Sequence, residues 1–203
     1  MSANQQNKSK RRIRAAFIDL LEEKGFYQVR VGDILERADV SRATFYTYYE
    51  DKYQLIRELR DELLSGLGAI MVQFRQGGRA GALSCGEDEF NTVNPVFIEY
   101  FRYVQENRRL WTIFMTGKGD SSFTETLSEY IYDHILVTQN QWTNEKDPEI
   151  PPEHSARLCS WAYVGLFSYW ISTEMKETPE IMAKTLTVFW RRFLNWPADS
   201  DEK

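Results

Sequence analysis

Apolar residues recur at intervals of three and four along most of the chain, and strand-type alternation is nowhere sustained. The spacing predicts a first helix over about Lys8 to Lys24, with Ile13, Phe17, Leu20 and Leu21 on one face and Gly25 ending it. A short second helix fits residues 31–38 and carries Ile34, Leu35 and Ala38. The piece Ala38-Asp39-Val40-Ser41 breaks the period, and Ser41 suits the N-cap of a third short helix through Tyr48. Glu50 and Asp51 place negative charge where a fourth helix begins, which favours its dipole. That helix carries Leu55, Ile56, Leu59, Leu63 and Leu64 to about Arg75.

Residues 77–94 hold four glycines without a sustained apolar period, which predicts a loop. Further helices are predicted at about 95–106, 107–115 and 121–142. The stretch NEKDPEIPP, from Asn144 to Pro152, must be a connection because proline ends helices. Two long helices follow, at about 153–175 and 179–195. The fold class is therefore all-α, with about nine helices. The longest nearly apolar stretch, Ala162 to Ile171, is too short to cross a bilayer. The first residues are polar and then basic, without the apolar centre of a signal peptide. A soluble, cytoplasmic protein with no membrane partner is expected.

Composition adds little until charge is divided along the chain. Hydrophobic residues are 42% and charged residues 27%, ordinary globular proportions that exclude wholesale disorder. The net charge of −5 argues at first against a polyanionic partner. Residues 1–60, however, hold 12 Lys/Arg against 9 Asp/Glu, whereas the remainder holds 13 against 21. Lys8, Lys10, Arg11, Arg12 and Arg14 precede any acidic residue. A basic head on an acidic body suits a protein whose head alone meets nucleic acid. A solvated basic tail fits the same numbers.

Two short helices joined by a tight turn, behind a basic first helix, form a candidate helix-turn-helix. Its second helix must present side chains to a major groove and bury the rest. In SRATFYTYY the anchors are Ala43 or Phe45 together with Tyr49, and the exposed set is Arg42, Thr44, Tyr46, Thr47 and Tyr48. Hydroxyls and a guanidinium suit phosphate oxygens and base edges, and the helix start at Ser41–Arg42 attracts phosphate. Lys52 opens the fourth helix, where an ammonium and backbone amides can clamp another phosphate. Read alone, without the surrounding pattern, Tyr46 and Tyr48 fit half-buried packing better.

The stretch GFYQVRVGDILERADVSRATFYTYYEDKYQLI resembles the DNA-binding segment of the TetR family of bacterial transcriptional regulators. The matching features are the Gly-aromatic pair, Asp-Ile in the second helix, Ala-x-Val-Ser in the turn, Thr-aromatic-Tyr in the third helix and the Lys that follows. The stretch VGLFSYWISTEMKETPEIMAKTLTVFW is similar to the C-terminal helix pair of one TetR subgroup. The resemblance implies an all-helical homodimer with two DNA-reading heads. It places a three-helix helix-turn-helix domain at residues 1–52 and a larger helical ligand-binding and dimerisation domain at 53–203. It also implies DNA contacts from Arg30, Ser41, Arg42, Ala43, Thr44, Tyr46, Thr47, Tyr48 and Lys52. Four positions depart from the family pattern: Asp39 stands for Gly, Arg30 for Thr, Leu35 for Ala and Tyr48 for His. Arg30 loses a capping hydroxyl and gains a cation that can meet phosphate.

In the body, Leu158 to Ile171 is apolar or small nearly all round and must be covered on more than one side. Ala162, Gly165, Ser168 and Ser172 make a strip of small residues, with Tyr169 beside it. Leu186, Phe189, Trp190 and Phe193 of the last helix complete a candidate four-helix interface between subunits. A core helix of a monomer fits the same pattern. Aromatic residues suggest a pocket for a flat apolar or cationic effector, with Phe101, Trp111, Phe114, Tyr130, His134 and Trp161 as candidate contacts.

His134, His154 and Cys159 lack compact ligand spacing, so no metal site or cofactor is expected. No GxSxG, HExxH, P-loop or dinucleotide fingerprint is present, so no catalytic residue is assigned and an enzyme is not expected. The function read from the sequence is a homodimeric repressor that a small-molecule effector releases from a double-stranded operator. An activator or coactivator working through a protein partner is the first alternative. A helical small-molecule-binding protein or enzyme with an incidental basic head is the second.

Overall fold

The structure is a computed structural model, which describes residues 3–76, 93–142 and 150–193. Among the described residues there are nine α-helices and no strand. They are α1 (Ala3–Lys24), α2 (Val31–Ala38), α3 (Arg42–Tyr46), α4 (Lys52–Gln76), α5 (Pro95–Glu106), α6 (Arg108–Met115), α7 (Phe123–Trp142), α8 (Pro152–Ser172) and α9 (Pro179–Phe193). Most of the loop predicted at 77–94 and of the connection at 144–152 lies outside the described residues.

Several boundaries have plain local causes. Gly25 takes φ +75° after α1, a conformation that costs glycine little. Asn94 accepts from Val96 N–H and Pro95 follows it, so α5 begins with both a side-chain cap and a residue that needs no donor. The third helix is shorter than predicted, because Thr47 and Tyr48 form a turn after Tyr46. The helix α8 stops at Ser172 instead of reaching 175, since Glu174 and Met175 take φ of 58° and 55°. Trp170 helps hold that corner by donating its indole N–H to Glu177 O at 2.9 Å.

The chain divides into two compact units. The first comprises residues 1–63 and 109–124, and the second 64–108 and 125–203. This differs from a division at residue 52, and the pairing explains why. Glu58 on α4 receives Lys10 at 3.0 Å and Arg14 at 2.9 Å, and Glu62 also receives Arg14. Arg109 on α6 pairs with both Asp19 and Glu22 of α1. Lys118 O then accepts from Phe26 N–H at 2.7 Å. The start of α4 and the 109–124 segment thus belong to the N-terminal helices. Within this unit Ile13, Phe17, Leu21, Ile34 and Phe45 are fully buried. In the second unit α5 packs on α9, and Asn94 N–H donates to Thr187 Oγ1 across them. Ser128 and Ser160 pair at 3.1 Å between α7 and α8.

Candidate nucleic-acid interface

Three devices hold α2 and α3. At the start of α2, Asp33 accepts from Arg30 N–H at 2.7 Å, which supplies a cap from inside the helix where Arg30 has no side-chain acceptor. Lys24 binds the same carboxylate at 2.7 Å, and this hydrogen bond, followed by the one from Arg30, holds the Asp33 pKa below its ordinary value. At the turn, Asp39 takes φ 49° and ψ 57°, and its N–H donates to Glu36 O. At the start of α3, Ser41 Oγ accepts from Thr44 N–H at 3.1 Å.

Anchoring and exposure then separate cleanly on α3. Phe45 is fully buried and Tyr49 nearly so, its phenol donating to Glu58 Oε1 at 3.4 Å. A fully buried aromatic of this size contributes about 2–3 kcal/mol. Ala43 faces solvent, so Phe45 takes the anchoring role. Arg42, Tyr46 and Thr47 are exposed, with Thr44 and Tyr48 half-buried. The hydroxyls differ in what they have left to offer. Thr47 Oγ1 donates to Ala43 O at 2.9 Å, and Thr44 Oγ1 shares a hydrogen bond with Ser41 Oγ at 2.8 Å. Tyr46 stands edge-on to Phe45, with 48% of its surface exposed. Arg42, Tyr46 and exposed Arg30 are the groups best placed to donate outward.

The structure gives Lys52 a different setting from an open phosphate clamp. Its Nζ donates to Phe26 O at 2.9 Å and Val29 O at 2.7 Å, using two of three N–H bonds on the fold. Partial burial holds its pKa below the ordinary value, opposed by the charge of Asp33. The basic run is also largely spoken for. Lys10, Arg12 and Arg14 pair with Glu58, Asp39 and Glu58/Glu62. Lys8 and Arg11 are exposed and make no ion pair among the described residues. Local charge balance therefore leaves fewer cations for phosphate than a count along the sequence suggests.

The candidate effector residues are divided between the two units. Trp111 and Phe114 lie in the first unit, where their rings pack on Phe123 at 5.8 and 4.7 Å. Phe101 is fully buried in the second unit, 5.3 Å from both Phe167 and Trp170. Tyr130 and His134 are half-buried neighbours, 4.8 Å ring to ring, and Trp161 is exposed on α8. Cys159 is buried, and desolvation pushes its thiol up to about 12, which keeps it a neutral packing group. Among the described residues no cluster of His, Cys, Asp or Glu can hold a metal ion. Among them, too, no helix is long and apolar enough to cross a membrane.

Along α8 an exposed stripe recurs every three or four residues: Leu158, Trp161, Gly165, Tyr169 and Ser172. Ala162 and Ser168 flank it, half-buried. Ile181 is exposed on α9, Phe189 and Trp190 are half-buried, and Trp190 donates to Tyr163 Oη at 3.0 Å. Leu186 is buried within its own chain, and the side chain of Phe193 lies outside the described residues. Leu158 and Ile181 were not singled out by sequence, although the 158–161–165–169 spacing carries the signal.

Comparisons with known proteins agree with this arrangement. Residues 13–59 match the family model of bacterial regulatory proteins of the tetR family, and residues 91–192 match that of a transcriptional regulator C-terminal region. The chain is 26% identical over 172 residues to the HTH-type transcriptional regulator YxbF of Bacillus subtilis, covering 85% of this chain but only 42% of that protein. It is 24% identical over 154 residues to the HTH-type dhaKLM operon transcriptional activator DhaS of Lactococcus lactis, covering 73% of this chain and 74% of that one. A TetR transcriptional regulator from Streptococcus agalactiae has a similar fold, with TM-score 0.62 and 21% identity over 92% of this chain and 95% of its own. The N-terminal helix-turn-helix, the all-helical body and these matches together place the chain in the TetR family of bacterial DNA-binding transcriptional regulators.

Proposed function

We propose that the chain is a homodimeric repressor whose two copies of α3 enter successive major grooves of an operator. The observation that carries this reading is the division of α3: Phe45 is buried in the fold while Arg42, Tyr46 and Thr47 are exposed together. Arg42 and Tyr46 donate to phosphate and base edges, and Arg30 meets the adjoining backbone. Ser41, Ala43, Thr44, Thr47 and Tyr48 line the same surface and set its shape. Lys52 has one N–H left for a phosphate after holding the 26–29 loop.

The exposed stripe from Leu158 to Ser172, with its small residues, supports pairing of α8 with a second copy, and α9 supplies the flank. Two heads must lie about 34–36 Å apart to fit successive grooves, so a modest change in their spacing releases the operator. An effector acts here by favouring the incompetent spacing. The second unit offers a lever for this: the phenol of Tyr130 lies directly against α4 at Gly68, and that of Tyr103 against Gly66. A small molecule that displaces either ring bears on the helix that contributes residues to both units.

Similarity to DhaS, an operon activator, favours a second reading in which the bound dimer raises transcription. Selection of a duplex from a random pool, followed by transcription in vitro from a promoter carrying it, separates the two. Repression requires a two-fold site and lower transcript with protein present. A rise in transcript favours activation, and a site without half-sites overturns the dimeric reading.

A further inference from the structure

The turn between α2 and α3 is held in a backbone conformation that glycine adopts freely and other residues resist. Asp39 occupies it, with φ 49° and ψ 57°. Within the turn, Asp39 N–H donates to Glu36 O and Val40 N–H to Leu35 O, the local bonds of a left-handed C-cap. A further constraint comes from α1. One terminal nitrogen of Arg12 donates to Asp39 O at 3.0 Å and to Asp39 Oδ2 at 2.7 Å. The carbonyl bond fixes the peptide plane that leads into Val40 and Ser41, and the carboxylate bond fixes the side chain of the same residue. Ser41 then caps α3. A rotation about the Asp39 backbone therefore swings the whole recognition helix, and Arg12 opposes it from outside the turn.

We propose that Arg12 is a positioning residue for DNA recognition: it sets the angle of α3 through Asp39 and does not itself contact phosphate. The proposal rests on the DNA-reading role of α3 given above. Three observations separate it from the bland view of a basic first helix. Arg12 is engaged at both ends of one residue, its partner carbonyl belongs to the turn, and neighbouring Lys8 and Arg11 remain exposed for nonspecific attraction to phosphate. An exposed ion pair alone contributes little, but here the pair is joined by a bond to the carbonyl of the same residue, and both are lost together when the Asp39 backbone rotates.

The test is a mutant cycle on the full chain, using a duplex selected by the wild type from a random pool. Arg12→Ala, Asp39→Gly and the double variant are titrated at several salt concentrations, at a temperature where thermal melts show each to be folded. Arg12→Ala is expected to weaken binding roughly fivefold to tenfold with the slope of log K against log salt unchanged. Asp39→Gly alone is expected to bind within about twofold of wild type, because the conformation no longer strains the residue. In the double variant, removal of Arg12 is expected to cost less than about twofold, since glycine needs no clamp. A loss that persists in the Asp39→Gly background, with a slope smaller by about one, makes Arg12 a phosphate contact and overturns the proposal. A lower melting temperature with unchanged affinity reduces it to a fold-stabilising pair and also overturns it. If Arg12→Ala does not fold, recovery of both folding and binding by Asp39→Gly supports the proposal, and recovery of folding without binding overturns it. Wild-type chain that selects no duplex and shows no salt-dependent binding defeats the underlying reading of α3 instead.

Discussion

The ammonium of Lys52 lies 4.5 Å from the centre of the Phe26 ring and donates at 2.9 Å to the carbonyl of the same residue. One side chain from α4 thus fixes the loop that connects α1 to α2, and it reaches Val29 O as well. If the cation is removed, Val29 O loses this donor and Phe26 O keeps the 3.3 Å bond from Val29 N–H. Lys52→Met is expected to destabilise the protein by about 2 kcal/mol in urea unfolding, the range for hydrogen bonds from a charged donor. Duplex affinity of the folded fraction should fall only slightly. Unchanged stability with abolished binding would instead place the ammonium on phosphate.

Glycines on α4 make a second, sharper expectation. A Cβ at Gly68 would collide with the Tyr130 phenol oxygen, with the ring carbon that bears it 3.0 Å away. At Gly66 the Tyr103 ring itself intrudes, with Cε2 at 2.7 Å. Alanine should stabilise an exposed helix position by about 1 kcal/mol relative to glycine. Here both Gly66→Ala and Gly68→Ala are expected to lower the melting temperature. Adding Tyr130→Phe should restore the Gly68→Ala variant, whereas Tyr103→Phe should leave Gly66→Ala impaired. Equal rescue at both sites would show that the rings are free to move away.

Acid should loosen the first unit through Asp33. Its pKa is depressed in the folded chain by the hydrogen bonds from Lys24 and from Arg30 N–H. A depressed carboxylate contributes stability at pH above its unfolded value and loses it as pH falls through the folded one. Melting temperature should therefore decline from about pH 4 downward, more steeply in wild type than in Asp33→Asn. Parallel profiles in the two proteins would remove Asp33 from the linkage.

These groups also show where sequence reading reaches and where it stops. The end of α1 and the limits of α2 follow from apolar spacing and Gly25, whereas α1 begins at Ala3, in a polar stretch that carries no apolar period. The burial of Phe45 and Tyr49 follows from the three- and four-residue spacing around α3. Those are local signals. The partners of Lys52 lie 23 and 26 residues away along the chain, and nothing local says that a lysine will choose carbonyls over phosphate. The end of α8 falls short of the predicted residue 175 for a related reason, since neither Glu174 nor Met175 has the residue type that announces a left-handed conformation. Composition also cannot say which unit a short helix such as α6 joins. Arg109, paired with Asp19 and Glu22, decides that.

The proposed pairing through α8 can be tested without disturbing the fold. Gly165 sits in the exposed stripe of α8, and a Cβ built there meets no atom within 4 Å. Gly165→Glu should keep its helicity, since glutamate is the better helix former, while burying an unpaired charge in any interface. Sedimentation is expected to show two chains per particle for wild type and one for the variant at the same concentration. A variant that remains paired would move the interface off α8.

The most direct test of α3 as the DNA-reading element is the salt dependence of duplex binding by wild type and Arg42→Ala. Wild type should bind its selected duplex with a slope of several units in log K against log salt. Arg42→Ala should lose roughly tenfold or more in affinity, and its slope should fall by about one if that guanidinium meets phosphate, or stay constant with relaxed sequence preference if it meets a base. Identical affinity, slope and sequence preference in the two proteins would contradict the assignment of α3 to the groove.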